Sequence, residues 1–73
     1  MAREAICWTG PVPALDDFGA PISNVFYDAK TRHGAWAMMS HSSWVLEGYS
    51  KLGPGYGQKY KLQDDGRWLK VKG

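Results

Sequence analysis

The residue types that could support catalysis are few in this chain of 73 residues. Cys7 is the single thiol, and His33 and His41 are the two histidines; a thiolate beside an imidazole is one pairing used for nucleophilic catalysis. Cys7 lies between isoleucine and tryptophan, a context typical of a buried, inert thiol, and nothing is evident to orient a histidine. The glycine-rich run over 53–57 does not open a helix after a strand, as phosphate-binding loops do. We therefore expect no enzymatic activity.

Metal binding is suggested by spacing but not by residue type. Two residues separate Cys7 from Gly10, and two separate Ser40 from Ser43. Two such pairs in a short β-rich chain have the spacing of a structural zinc site, whose four ligands are often cysteines. Only Cys7 supplies a thiol here, and neither serine nor glycine is a useful zinc ligand. A weaker alternative combines Cys7 with the two histidines. The sequence predicts no bound metal and no cofactor.

The composition is that of one small folded domain in a reducing compartment. One cysteine excludes an internal disulfide. No stretch approaches the roughly 20 apolar residues of a membrane-spanning helix, and the N-terminus lacks the apolar segment of a signal peptide. Aromatic residues make up 14% of the chain, which favours a packed core over a disordered tail. We expect residues 1–73 to form a single monomeric, cytoplasmic domain without membrane contact, flexible at 1–4 and in part of 11–22.

Two β-hairpins are predicted, over 24–39 and 58–71. Each has two runs of strand-forming residues around a polar segment that contains glycine. In the second hairpin, the Asp-Asp-Gly turn at 64–66 supplies the positive φ that a tight turn requires. A further short strand is predicted over 4–9.

One short helix is predicted between the hairpins, which gives a small α+β fold that is mostly β. Ser40 or Ser42 can cap its N-terminus, because a serine hydroxyl accepts a hydrogen bond from a free N–H of the first turn. The helix itself is predicted from Ser43 to about Leu46, and Gly48 suits its end.

The tryptophans are the predicted source of stability in a domain without metal or disulfides. They are Trp8, Trp36, Trp44 and Trp68. Burying one aromatic side chain removes about 150–250 Å² from water, and at about 25 cal/mol per Å² this stabilises by several kcal/mol. We expect Trp36 and Trp68 to lie in the core, and truncation of either to alanine to unfold the domain.

The chain resembles small phage-encoded zinc-ribbon proteins over roughly residues 5–62. The resemblance is carried by the segment 26–39, by the serines at 40 and 43, and by the Gly-x-Gly-x-Gly-Gln-Lys-Tyr run at 53–60. In that family the pattern includes Gly-Pro-Trp-Ala, Met-Cys-x-x-Cys and Gly-Gln-Lys-Tyr. Three of the four ligand positions lack cysteine here. The resemblance therefore implies a degenerate, metal-free zinc-ribbon-like domain.

Among these proteins, the length and the lost ligands are most similar to those of the RNA-polymerase-binding transcription regulators of lytic phages. The resemblance implies that the partner is the bacterial host's RNA polymerase and that binding both inhibits transcription initiation and promotes antitermination. Protein contact surfaces favour tyrosine and arginine with an aromatic anchor. The candidate contact residues are Val25, Tyr27, Arg32, Ser42 and Tyr49. For Val25 and Tyr27, packing in the core is an equally good interpretation.

The alternative interpretation is a module that binds single-stranded RNA or DNA. Residues 51–73 contain six lysines and arginines and two acids, whereas residues 1–50 contain three basic residues and five acids. Rings interleave with positive charges in this basic part, as on surfaces that stack bases and hold phosphates. The candidate residues are Tyr56, Lys59, Tyr60, Lys61, Arg67 and Lys70. An ordinary half-buried hairpin with solvated lysines explains the same pattern.

Overall fold

The computed structural model describes residues 6–73. It contains an antiparallel sheet of four strands with one short helix on one face. The elements in chain order are β1 (Val25–Lys30), β2 (Trp36–Met39), α1 (His41–Glu47), β3 (Gly57–Leu62) and β4 (Trp68–Lys72). Across the sheet the order is β2-β1-β3-β4, and each neighbouring pair is antiparallel. The predicted α+β, mostly β fold with two hairpins and one short helix is confirmed; its kinship with zinc ribbons stays a prediction.

The tight turn of the second hairpin forms as predicted. The backbone N–H of Gln63 donates to the carbonyl oxygen of Arg67 over 2.7 Å. Gly66 has a φ of 87°, a left-handed conformation that glycine adopts at little steric cost. The hairpin is joined to the first one through β1 and β3, whose central pair is Tyr27 opposite Lys59.

The segment before the first hairpin forms no regular strand within the described residues. Cys7 makes one isolated bridge to Leu69, and the backbone N–H of Trp8 donates to the backbone of β4 over 2.9 Å. The strand predicted over 4–9 is present only as a short pairing along the edge of β4. The first two residues of that predicted strand lie outside the described part. The predicted flexibility of residues 1–4 lies outside it as well.

Helix α1 is closed at both ends by residues that the sequence singled out. The Ser40 hydroxyl accepts a hydrogen bond from the Ser43 N–H at 3.3 Å, as an N-cap does. At the other end, the Gly48 N–H donates to the Trp44 carbonyl over 2.9 Å. The φ of Gly48 is −87°, so its conformation does not require glycine. Glycine is required instead by the lack of room at this position, because a Cβ at Gly48 would lie 2.7 Å from Cδ1 of Trp44.

The helix-side face of the sheet holds one part of the core. Alternate residues of a strand point to opposite faces, so Tyr27 and Ala29 of β1 share this face with Met39 of β2. All three are buried, and Trp44 of α1 packs over them. The rings of Tyr27 and Trp44 are stacked, with centroids 4.4 Å apart and planes 2° from parallel. This stack fixes α1 on the β1–β2 half of the sheet.

The opposite face holds a second group of rings, which we call the aromatic cluster: Trp8, Phe26, Tyr60 and Trp68. Phe26 lies at its centre and is fully buried. Its ring is stacked on Tyr60 at 5.1 Å and meets Trp8 and Trp68 edge-on at 5.3 and 5.1 Å. Edge-to-face and offset arrangements of this kind are favourable for aromatic pairs, so the cluster holds β1, β3 and β4 together with the N-terminal segment.

The prediction that Trp36 is a core residue is wrong. Its side chain is 51% exposed. Trp36 begins β2, which is an edge strand, and it pairs with Lys30 at the far end of β1. The aromatic cluster covers the β1, β3 and β4 part of this face and does not extend to β2. Trp68, by contrast, is half-buried and packs on Phe26.

A buried carboxylate, Asp16, fastens the loop before β1 to the start of α1. Its Oδ1 accepts hydrogen bonds from the backbone N–H groups of Phe18 and Ala20, each at 2.9 Å, and its Oδ2 accepts from that of Ser40 at 2.7 Å. Burial raises the pKa of Asp16, but hydrogen bonds from the Ser43 side chain and these backbone groups outweigh burial and hold the pKa well below its usual value. Asp16 is therefore ionised in the folded protein.

Replacing this carboxylate should destabilise the domain and remove part of its acid sensitivity. A group whose pKa is lower folded than unfolded contributes stability that is complete above the unfolded pKa and is lost as pH falls toward the folded pKa. For Asp16 this loss falls below about pH 5. We expect Asp16→Asn to lower the free energy of unfolding by about 1–3 kcal/mol at neutral pH. The difference from wild type should be smaller in acid. Urea melts at a series of pH values from neutral to acid measure both effects.

The matched control for this experiment is Asp64→Asn in the exposed turn of the second hairpin, which should leave the wild-type pH dependence intact. Equal stability of Asp16→Asn and wild type at neutral pH would contradict the assigned role.

Candidate protein-binding surface

The outward side of α1 presents apolar side chains to solvent. Ser43 and Trp44 face the sheet, so the helical period of 3.6 residues places Ser42, Val45 and Leu46 on the other side. Val45 is 48% exposed and Leu46 is 67% exposed. We call these three residues the helix surface. The outward side of this seven-residue helix is therefore partly apolar.

Arg32 stands at one end of the helix surface, where the β1–β2 loop meets the end of α1. The backbone N–H of Arg32 donates to the carbonyl of Glu47 over 2.8 Å, and its Nε donates to the carbonyl of Gly48 over 3.2 Å. The neighbouring His33 Nε2 lies 3.4 Å from a carboxylate oxygen of Glu47. Carbonyl groups at a helix C-terminus lack intrahelical partners and accept such donors readily. Arg32 is thus held in place while it remains exposed to solvent.

Two further rings and two lysines lie beside the C-terminal end of α1. Tyr49 and Tyr56 meet edge-on, with centroids 5.9 Å apart and planes at 75°. The Nζ of Lys30 lies 6.0 Å from the centre of the Tyr49 ring, and the Nζ of Lys51 lies 5.2 Å from that of Tyr56. Both rings are open to solvent, at 43% and 36% exposure. We call these four residues the tyrosine–lysine cluster.

Tyr27 has a structural position and not an exposed one. It is buried under Trp44, its hydroxyl lies 2.9 Å from Nδ1 of His41, and the Nζ of Lys59 lies 5.7 Å from its ring centre. Burial raises the pKa of Tyr27. For Tyr27 the core interpretation therefore holds, and its contribution to any surface is to position His41 and α1.

Val25 is half-buried at the start of β1. It lines a cleft of about 430 Å³ together with Ser42, His41 and Lys59. The structure therefore places the five predicted contact residues in three settings. Arg32, Ser42 and Tyr49 lie along or beside α1, Val25 lies in the adjoining cleft, and Tyr27 lies beneath it.

Val45 and Leu46 were missed by the reasoning from sequence. Their spacing of three and four residues from Ser42 is the signal that could have found them, because such residues share one side of a helix. The signal was weak for a helix of barely two turns, whose inward side could not be distinguished from its outward side without the sheet.

The candidate nucleic-acid residues do not form one surface. Tyr60 is buried in the aromatic cluster and its hydroxyl donates to Oε1 of Gln58 over 2.9 Å. Burial raises the pKa of Tyr60, and the negative charge of Asp28 adds to that shift. Its ring is therefore not available to stack on a base.

The basic residues of the same set point in different directions. Lys59 and Lys61 lie on the helix-side face, opposite Tyr27 and Val25 in the ladder, whereas Lys70 pairs with Tyr60 on the other face. Arg67 lies at the turn, where its Nε donates to Asp65 over 2.8 Å. The remaining member of the set, Tyr56, belongs to the tyrosine–lysine cluster.

The residues present do not fit a zinc site. Cys7 lies at the edge of β4, while His41 and His33 contact Tyr27 and Glu47. Within residues 6–73 no three side chains of histidine, cysteine, aspartate or glutamate come close enough to hold an ion. The serine pair at ligand positions 40 and 43 instead caps α1 and binds Asp16.

Comparison with protein-family models, with curated proteins and with solved structures finds no match to this chain. The single helix of the described region is too short to cross a membrane.

Proposed function

We propose that this chain is a phage-encoded regulator that binds host bacterial RNA polymerase through protein–protein contact, without catalysis, and thereby inhibits transcription initiation and promotes antitermination. Two lines of reasoning support the proposal. The resemblance to polymerase-binding phage regulators supplies the partner. The single observation that carries the binding mode is the exposed helix surface, with Leu46 67% exposed beside Val45 and Arg32 at its end.

The exposed apolar side chains of α1 favour association with a partner. Covering a valine or leucine that was in water is worth about 1.5–3 kcal/mol. Single exposed apolar residues are common on protein surfaces, but Val45 and Leu46 are adjacent and on one side of the helix. Together they form an apolar anchor that a partner can cover, although valine and leucine are less common among the residues that dominate interfaces than tryptophan, tyrosine and arginine.

Arg32 adds a pre-positioned polar contact to this anchor. Arginine is enriched among the residues that contribute most to interfaces. Because its backbone and its Nε are already bonded to the end of α1, less side-chain freedom is lost when a partner binds. The remaining N–H groups of the guanidinium are free to bind a carboxylate or carbonyl on the polymerase.

Removing the apolar anchor should abolish tight binding without unfolding the domain. We expect the double variant Val45→Ser/Leu46→Ser to bind purified bacterial RNA polymerase about 100-fold more weakly than wild type, measured by biolayer interferometry. In transcription assays with purified components, the same variant should lose promoter inhibition and terminator readthrough together, since both depend on one contact.

Val71→Ser is the matched control, because Val71 is also exposed but lies on β4, and its affinity should equal that of wild type. Wild-type binding by the helix double variant would remove the helix surface from the interface. Failure of the wild-type chain to bind the polymerase at all would remove the proposed function.

Nucleic-acid binding by the C-terminal hairpin, the alternative function, has less support. Its candidate residues are divided between two faces of the sheet, and Tyr60 is buried.

A further inference from the structure

We propose that the tyrosine–lysine cluster is a base-stacking site for single-stranded nucleic acid. It consists of Lys30, Tyr49, Lys51 and Tyr56. Three of these residues lie in the loop between α1 and β3, and Lys30 ends β1, so the site lies outside the C-terminal hairpin and apart from the apolar side chains of the helix surface. Only Tyr56 is also among the nucleic-acid candidates considered above. It does not depend on the proposed contact with RNA polymerase.

The two rings are arranged to receive bases. Tyr49 and Tyr56 are both exposed, and their planes lie at 75° with centroids 5.9 Å apart. One ring therefore presents its edge to the face of the other, and the solvent-exposed parts of both rings can be reached by bases. Stacking on exposed rings binds single strands with little regard to sequence, because every base has a flat π-face.

The two lysines supply the charge that a phosphate backbone requires. Lys30 Nζ stands 6.0 Å from the centre of the Tyr49 ring, and Lys51 Nζ stands 5.2 Å from that of Tyr56. Each ring thus has its own cation. Two acids lie two residues from members of the cluster, Asp28 from Lys30 and Glu47 from Tyr49, and the Glu47 carboxylate lies beside His33. The cluster itself carries two positive charges and pairs each ring with a cation, as surfaces that bind single strands do.

The backbone holds the cluster in position before any ligand binds. The N–H of Lys30 donates to the carbonyl of Tyr56 over 2.9 Å, which ties the ring-bearing turn to β1. The N–H of Tyr56 donates in turn to Gly53 over 3.0 Å. Ser50, between Tyr49 and Lys51, has a φ of 58°, a conformation that costs a non-glycine residue energy and fixes the direction of the chain. A pre-organised site loses less entropy on binding.

A cleft next to the cluster adds two further lysines. This cleft of about 390 Å³ is lined by Ser50 and Leu52, the chain neighbours of Tyr49 and Lys51, and by Lys59 and Lys72. Phosphates beyond the stacked bases can lie along these lysines. An acidic peptide would use the cations but lacks the successive flat bases that stack on two exposed rings, so the combination favours nucleic acid.

The test is fluorescence anisotropy of labelled oligonucleotides of about eight nucleotides. The probes are oligo(U), oligo(dT) and a DNA duplex of equal length, titrated with the full chain at low and moderate salt. We expect both single strands to bind, more tightly than the duplex, with affinity falling as salt rises. Tyr49→Ser/Tyr56→Ser should weaken binding about tenfold or more, and Tyr49→Phe/Tyr56→Phe should retain it.

Lys30→Gln/Lys51→Gln should make the plot of log affinity against log salt concentration less steep, by the amount expected for the loss of about two ionic contacts. Phe18→Ser removes an exposed ring elsewhere and should bind as wild type does. Amide chemical shifts of wild type titrated with oligo(U) should move first over 49–56, which tests the site without any substitution.

Absence of oligonucleotide binding by wild type at low salt would overturn the proposal. So would wild-type affinity of the folded serine double variant, shift changes confined to β4, or equal binding of duplex and single strands. None of these results bears on the helix variants, so this site and the polymerase contact fail or stand separately.

Discussion

Gly57→Ala should unfold this domain. Gly57 lies at the start of β3 directly opposite Ala29 of β1, with a φ of 140° that side-chain-bearing residues rarely adopt. A Cβ at Gly57 would lie 2.5 Å from the Cα of Ala29 and 2.6 Å from the carbonyl oxygen of Asp28. Both of these atoms belong to the backbone of β1. They cannot move aside without breaking the β1–β3 ladder.

The expected magnitude of this effect is comparable with the whole stability of the domain. Overpacking costs about 1–3 kcal/mol, and an unsuitable positive φ adds about 1–2 kcal/mol. A domain of this size has roughly 3–5 kcal/mol in total. Circular dichroism on heating should therefore give no cooperative transition for Gly57→Ala.

Gly55→Ala separates the two causes. Gly55 also has a positive φ, of 82°, but nothing lies within 4 Å of a Cβ built there. We expect this variant to fold and to lose only the conformational part. Melting of Gly57→Ala within a few degrees of Gly55→Ala would show that the close approach of β1 and β3 is not rigid.

Phe26→Ala is the second substitution that should unfold the chain. Phe26 is fully buried at the centre of the aromatic cluster and contacts Trp8, Tyr60 and Trp68. Truncating a buried phenylalanine to alanine costs about 3–5 kcal/mol, again the whole of the expected stability. Two-dimensional amide spectra of the variant should collapse toward the narrow dispersion of an unfolded chain.

Trp36→Ala is the informative comparison for Phe26→Ala. Although tryptophan is the larger residue, Trp36 is half-exposed on an edge strand, so its truncation should shift the urea midpoint only slightly. Phe26→Leu should fall between the two, because leucine fills part of the space. A folded Phe26→Ala, or an unfolded Trp36→Ala, would place the main stabilising contacts elsewhere than in the aromatic cluster.

The serines at 40 and 43 stand at the junction of β2 and α1. A structural zinc site with this spacing would need thiolates at both positions, and their bonds to the metal would fix the junction. Here the junction is fixed by Ser40 as N-cap and by Asp16, which binds the Ser40 N–H at 2.7 Å. An ionised carboxylate with several donors can replace a metal as the local point of attachment, because charge-assisted hydrogen bonds are stronger than neutral ones.

The helix surface and the tyrosine–lysine cluster are neighbours, because Arg32 and Tyr49 both lie at the C-terminal end of α1. A domain that bound polymerase through one and a single strand through the other would attach the enzyme to the nucleic acid it is using. This combination would bear directly on readthrough of terminators.

The local elements were determined by the sequence. The Asp-Asp-Gly turn, the strand-forming runs and the serine–glycine boundaries of α1 depend on φ preferences and capping bonds within a few residues, and such preferences act whatever surrounds them. Tertiary structure alone decided which rings are buried. Phe26 and Trp36 both lie in predicted strands, but the strand order β2-β1-β3-β4 puts one at the centre and the other at the edge. It also decided that Tyr49 and Tyr56 meet, because a contact between the two ends of the loop that joins α1 to β3 depends on how the helix and the sheet place those ends.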